Sequence, residues 1–156
     1  MTKKTIKLSP FKSKVWYHTG HWIDLNGDGR KDLLIARTNS QKGGGELVWF
    51  EHPAADALDG AEWTEHVITS GPDVFTSIET MAAYPGEIVV WAAEFFDEQL
   101  AVYRVSLADG SLVDSRVIDS NTIKLGGSET KRTYQVTLCD LKGDGTKNEL
   151  LVNNWE

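Results

Sequence analysis

"WIDLNGDGRKDLLIA", residues 22–36, aligns with "SIETMAAYPGEIVVW", residues 77–91, at a constant spacing of 55. Ile23 meets Ile78, Asp24 meets Glu79, Asp32 meets Glu87 and Leu33 meets Ile88. Farther along, "LVWFE" (47–51) matches "LAVYR" (100–104), and "EHVIT" (65–69) matches "SRVID" (115–119). A third copy opens at "TLCDLKGDGTKNELLV" (137–152), where Asp140 stands 116 residues after Asp24. Self-similarity at a fixed period marks a chain built by stacking one supersecondary unit.

The unit is made of strands. Helical periodicity is almost absent, and the apolar residues fall in short runs rich in β-branched and aromatic types, such as "DLLIA", "ELVWFE", "EIVVWAAEFF", "LAVYRV" and "YQVTL". Turn signals separate them: Asn26-Gly27, Gly43-Gly44-Gly45, Pro85-Gly86, Asp109-Gly110 and Gly126-Gly127. Each copy reads as strand, acidic loop, strand, turn, strand, turn, short strand. Four antiparallel strands in roughly 50 to 60 residues is what one β-propeller blade needs. The expected organisation is therefore all-β, with an N-terminal arm (1–14), a first blade (15–72), a second (73–130) and the start of a third (131–156).

Over residues 15–156, strand–"DLNGDGRKDLLIA"–"GGGELVWFEHP"–"EWTEHVI" resembles the FG-GAP/VCBS-type propeller repeat. In that family an Asp-rich calcium loop joins the first two strands of a blade, and an aromatic strand of the "WFE" kind follows. The ending from Trp63 to Ile68 also recurs there. The first copy matches well, the second is degenerate and the third is short. The resemblance implies a propeller that holds structural Ca²⁺. Its members span adhesion modules, lectin-like proteins and some sugar dehydratases, so it fixes fold better than function.

The acidic loop explains itself by charge. Asp24, Asn26, Asp28 and Asp32 occupy positions 1, 3, 5 and 9, with Gly27 and Gly29 between them. A hard cation such as Ca²⁺ takes about six to eight oxygens from carboxylates, amides, carbonyls and water. Alternate side chains turned inward, with the Arg30 carbonyl, would supply them. An EF-hand is excluded, since its twelfth position needs a bidentate Glu and Ile35 stands there. Without a cation the same loop is a solvated Asx turn. In copy three Asp140, Asp144 and Asn148 keep the pattern, but position 3 is Lys142, whose ammonium could replace the ion. Copy two retains only Glu79 and Glu87. Loops that decay this freely suggest a structural metal.

Propeller ligands bind on loops at one end of the channel. The segments before the innermost strands are "WYHTGH" and "TSGPDVFTS". They bring forward His18, His21 and Asp73 as acid–base candidates, with Phe75 as a contact. Copy three adds Tyr134 as an acid–base group and Arg132 as an anchor, and Glu94 and Phe96 stand farther out. The bland readings are surface histidines and an ordinary turn aspartate. The six tryptophans read as packing between blades more than as a sugar platform, and His66 as a structural hydrogen bond. Three functions remain open: a calcium-stapled module binding a small molecule or protein, a propeller enzyme of lyase, dehydratase or cyclase type, and a structural module of an assembly.

Composition narrows the partners. Sixteen basic against 23 acidic residues give a net charge of −7, which disfavours a nucleic-acid backbone. No apolar run approaches the roughly 18 residues that span a bilayer. No apolar core follows the basic "MTKKTIKLSPFKSK", and Cys139 is the single cysteine, so a reducing, cytoplasmic setting is expected. Closure of a propeller takes at least four blades. About two and a half are expected here, so the remaining blades, or a second copy, should complete the ring. Lys4 to Phe11 could add a closing strand.

Overall fold

In the computed structural model, residues 7–9, 14–54, 61–120, 132–147 and 149–155 are described, with Lys7, Ser9, Asp119, Ser120, Arg132, Asn154 and Trp155 described by backbone alone. The chain is all-β, with no helix among these residues. It forms β1 (Lys7–Ser9), β2 (Trp16–Ile23), β3 (Asp32–Thr38), β4 (Gly45–Glu51), β5 (Glu62–Ser70), β6 (Phe75–Glu79), β7 (Glu87–Glu94), β8 (Gln99–Ser106), β9 (Leu112–Ser120), β10 (Arg132–Cys139) and β11 (Glu149–Trp155). Strands β2 to β5 form one antiparallel meander, β6 to β9 a second, and β10 with β11 a third, two-stranded sheet. Among the described residues the three sheets do not close on themselves.

The spacing seen in the sequence is a spacing of strands. β3 and β7 share their first residue at the 55-residue repeat, with Asp32 paired to Ile23 and Glu87 to Ser106. β10 begins 116 residues after β2. The first strands of successive sheets lie beside one another, β2 near β6 and β6 near β10. His21 and Thr76, equivalent positions of the first two copies, touch there: His21 Nε2 donates to the Thr76 carbonyl at 3.2 Å and lies 3.0 Å from its hydroxyl.

Face-to-face packing of sheets makes the core. Leu34, Leu47 and Trp49 of the first sheet meet Ile88, Val90, Ala92, Ala101, Tyr103 and Val105 of the second, around Leu25. The opposite face of the first sheet gathers Ile35, Val48, Phe50 and Trp63. The opposite face of the second sheet meets the third through Ala93, Leu100 and Val136. The middle strands are thus buried on both faces, which is why "LLIA" and "IVV" read as unbroken apolar runs instead of alternating ones. Fully burying one such aliphatic side chain is worth about 1.5–3 kcal/mol.

Two features lock the first sheet. The Arg37 guanidinium, fully buried on β3, donates from Nε to Glu46 at 2.9 Å and from Nη1 to Glu65 at 2.6 Å. The pairing outweighs burial and raises the Arg37 pKa, so the charge persists in the interior. The second feature is Gly45, where a Cβ would stand 2.2 Å from the Gly71 carbonyl oxygen. Only glycine lets the start of β4 touch the segment that leads into the second sheet, and the Gly71 N–H donates to the Gly45 carbonyl at 3.0 Å.

The N-terminal arm enters through β1, which pairs in parallel with β5 (Leu8 beside Trp63) and widens the first sheet to five strands. The remainder of Lys4 to Phe11 lies outside the described residues.

Candidate functional site

Antiparallel meanders sort the connections to two ends. The β2–β3, β6–β7 and β10–β11 loops share one end, and the β3–β4 and β7–β8 turns share the other with the starts of β2, β6 and β10.

At the first end the two aspartate loops take the same conformation. Asp24 accepts the N–H groups of Gly27 at 2.8 Å, Asp28 at 3.2 Å and Gly29 at 2.9 Å. Asp140 accepts those of Gly143 at 2.7 Å, Asp144 at 3.1 Å and Gly145 at 2.7 Å. The glycines have φ of 72° and 85° in the first loop and 70° and 85° in the third, a region that disfavours other residues. Asn26 accepts the Asp28 N–H at 3.1 Å, and Asp28 accepts the Arg30 N–H at 2.8 Å and pairs with the Arg30 guanidinium. The donated N–H groups, first that of Gly29, hold the Asp24 pKa below the usual range.

Asp32 plays a different part. It is fully buried, and its two oxygens accept the N–H groups of Leu25 and His52, each at 2.8 Å. Burial raises its pKa. It ties the loop to the end of β4. In the third loop Glu149 takes up the corresponding N–H of Leu141 at 3.2 Å. Lys142 pairs with Glu149 at 2.6 Å, so its ammonium serves the strand and not the loop carboxylates. Asn148 lies outside the described residues. In the degenerate second loop Glu79 instead binds Lys147 of the third at 2.8 Å. Among the described residues no three His, Cys, Asp or Glu side chains are gathered as a ready metal cage.

At the second end lies a cavity of about 430 Å³ lined by Trp16, Tyr17, His18, Val74, Phe95, Phe96 and Tyr134, with Ser40 at its rim. Three sheets contribute to it. Phe75 stands edge-on to Tyr134 at 4.6 Å between ring centroids and lies 6.1 Å from the His18 ring, while Phe95 meets Phe96 at 5.2 Å. Of the residues singled out in the sequence, His18, Phe75, Phe96 and Tyr134 thus come together. Burial lowers the His18 pKa, so its imidazole is neutral at pH 7.

The others do not line this cavity. His21 is spent on Thr76, and desolvation lowers its pKa. Asp73 is only 1% exposed, and its two oxygens accept the N–H groups of Phe95 at 2.8 Å and Phe96 at 2.6 Å. Glu94 is fully buried and accepts from the Tyr103 hydroxyl and the Gln99 amide. The Arg132 side chain lies outside the described residues. Asp73 therefore holds the backbone of the aromatic wall, while Glu94 is tied to the next strand of its own sheet.

Sequence reading took Trp16 for packing between blades and did not single out Tyr17, Ser40, Val74 or Phe95. Trp16 is 63% exposed and Trp22 51%, whereas Trp49 and Trp63 are buried, so the tryptophans divide between packing and an open surface. Alternation at the start of β2 was the available signal, since the exposed Trp16 and His18 flank the less exposed Tyr17, before the register shift between Tyr17 and Gly20. His66 has a structural role, stacked on Trp49 at 4.2 Å and bonded to Glu51 at 2.9 Å.

Comparison of the chain with family models, curated proteins and solved structures gives no match.

The pH behaviour of Asp73 follows from its surroundings. Burial, with Glu94 and Asp97 near, outweighs the two N–H donors and raises its pKa to about 6. Between pH 4 and 6 the folded protein then holds a proton on Asp73 that the unfolded chain has lost. Its contribution to stability should grow as pH falls from about 7 to about 4, by roughly 3 kcal/mol in all. Carbon-detected NMR titration should find one aspartate carboxyl with a midpoint near 6, missing in Asp73→Asn. A midpoint near 4 would refute the burial.

Proposed function

We propose that the chain is part of a β-propeller whose sheets are blades, and that it binds a small molecule in the aromatic cavity. The observation that carries this reading is the convergence of rings from the starts of β2, β6 and β10 with the β7–β8 turn. Apolar walls with few polar groups suit recognition of a ligand. Catalysis would need an accessible acid and base. Among the described lining residues the cavity offers only His18 and the phenols of Tyr17 and Tyr134, and no carboxylate, with Asp73, Glu94 and His21 engaged elsewhere. A binding module is therefore favoured over a lyase, dehydratase or cyclase.

Ca²⁺ is proposed as the structural partner of the first acidic loop. The donor set suits a hard cation: Asp24, Asn26 and Asp28 share one short loop whose glycines fix its turn, and Glu51 lies 3.4 Å from the Asn26 amide. Arg30 occupies the Asp28 carboxylate and would give way to the ion. Asp32 would support the loop through Leu25 and His52, with or without ligation. The third loop, with a lysine at position 3, is the weaker site. The free thiol of Cys139 accords with a reducing, cytoplasmic setting.

Partner blades are proposed to pair along β11, which among the described residues has a neighbour only in β10 and exposes Leu151. They come from a longer chain or a second copy.

Each part has its own test. Calcium should raise the melting temperature, and Asp28→Ala should abolish the rise. Asp32→Ala should cost about 2–3 kcal/mol even in chelator, because it leaves two backbone donors unpaired. An unchanged melting temperature on adding calcium sinks the metal site. For the cavity, a bound small molecule should move the ring resonances of Phe96 and Tyr134, and Tyr134→Ala should weaken binding at least tenfold. Binding that leaves both rings unmoved refutes the site. Sedimentation should show self-association or aggregation of the isolated chain, and a stable compact monomer counts against partner blades.

A further inference from the structure

The aromatic cavity has a charge preference that its lining residues do not display by themselves. Among the described lining residues none carries a formal charge at neutral pH, and the walls are chiefly the rings of Trp16, Tyr17, Phe95, Phe96 and Tyr134. The rings meet at steep angles: 60° for Phe75 with Tyr134, 82° for Phe95 with Phe96 and 81° for Phe95 with Tyr134. Ring faces carry the negative end of the π quadrupole, so walls built of such rings favour a cation over an anion.

Directly behind this wall stand carboxylates. Asp73 is hydrogen-bonded to the backbone of the two phenylalanines that line the cavity. Glu94 closes the preceding strand, bonded among the described residues to the neutral groups of Tyr103 and Gln99. Asp97 follows in the same turn and accepts the Gly43 N–H at 2.7 Å. Among the described residues no Lys or Arg pairs with Asp73, Glu94 or Asp97. Asp73, bonded to the backbone of Phe95 and Phe96, and Glu94 and Asp97, which flank that pair in sequence, thus place negative potential at the back of an uncharged aromatic cup.

We infer that the cavity takes an organic cation, a quaternary or methylated ammonium head of about the size of choline. This rests on the cavity being a ligand site at all. A bare ammonium keeps a strong hydration shell and would lose it against rings that offer no hydrogen bonds. A trimethylammonium head has little hydration to lose, presents methyl groups to the aromatic faces, and gains from ring quadrupoles and the buried carboxylates together. An anion would be repelled by the carboxylates behind Phe95 and Phe96, since the Arg37 guanidinium over the Tyr17 ring is already matched by Glu46 and Glu65, and a neutral apolar ligand would gain from the walls alone.

The test compares ligands of one shape and different charge. Choline and its neutral carbon isostere, 3,3-dimethylbutan-1-ol, are titrated separately into the full chain while the Phe96 and Tyr134 ring resonances are followed. Choline should bind at least tenfold tighter than the isostere, and it should lower the midpoint of the Asp73 carboxyl titration, which the isostere should not. Nε-trimethyllysine forms a parallel arm, and tighter binding there than for choline assigns the head to a modified side chain instead of a free small cation. Trp16→Leu, at an exposed position that leaves the core intact, and Tyr134→Leu should each weaken the cation at least fivefold and the isostere less. Equal binding of choline and the isostere, or preference for an anion, overturns the cation and leaves the cavity as a ligand site. Failure of small molecules of every charge to move either ring overturns both.

Discussion

A single buried carboxylate holds together the aromatic end of the molecule. Asp73 lies in the short segment between the first two sheets, and it captures two successive backbone N–H groups across the β7–β8 turn. That segment can run where it does because Gly45 lets backbone approach backbone, and because Gly71, at φ 124°, leaves room for the Tyr103 hydroxyl, which would stand 2.3 Å from a Cβ there. Burying Asp73 is costly, which is why its pKa rises, yet the two donated hydrogen bonds make the site tolerable. The same contacts hold the backbone of Phe95 and Phe96, whose side chains face the cavity.

The opposite end of the sheets uses carboxylates differently. In both aspartate loops the first Asp organises three backbone donors, so the loop has a defined shape before any ion is considered. Where the second copy has lost the pattern, Glu79 accepts Lys147 from the neighbouring loop. Charge at this end is therefore spent on loop geometry and on ties between neighbouring units. Charge at the aromatic end is withdrawn behind an apolar surface.

Between these ends the sheets depend on close packing of middle strands that are buried on both faces. The one permanent charge placed inside the first sheet, Arg37, is matched by Glu46 and Glu65 on the next two strands. Removing one member of such a set costs more than the set contributes, because it strands the others in the interior. The guanidinium therefore fixes the register of three strands, and with it the end from which Trp16, Tyr17 and His18 project.

Periodicity by itself determined that this chain is built from repeated β-units, because strand alternation, Asn-Gly and Gly-rich turns and the 55-residue spacing are local properties of the chain. The aspartate loops were legible for the same reason, since each takes its shape from donors within five residues of its first Asp. Part of the aromatic cavity could be anticipated, as His18, Phe75, Phe96 and Tyr134 precede or follow strands that the repeat brings to one end. What the residues do there was decided only by tertiary structure. Asp73 and Glu94 look like accessible acids in the sequence and prove to be supports, because their partners lie across a turn or a neighbouring strand. Asp32 looks like a fourth ligand and is buried against His52, 20 residues away. Burial and long-range hydrogen bonding depend on how sheets pack, and no local pattern encodes which polar group will be covered.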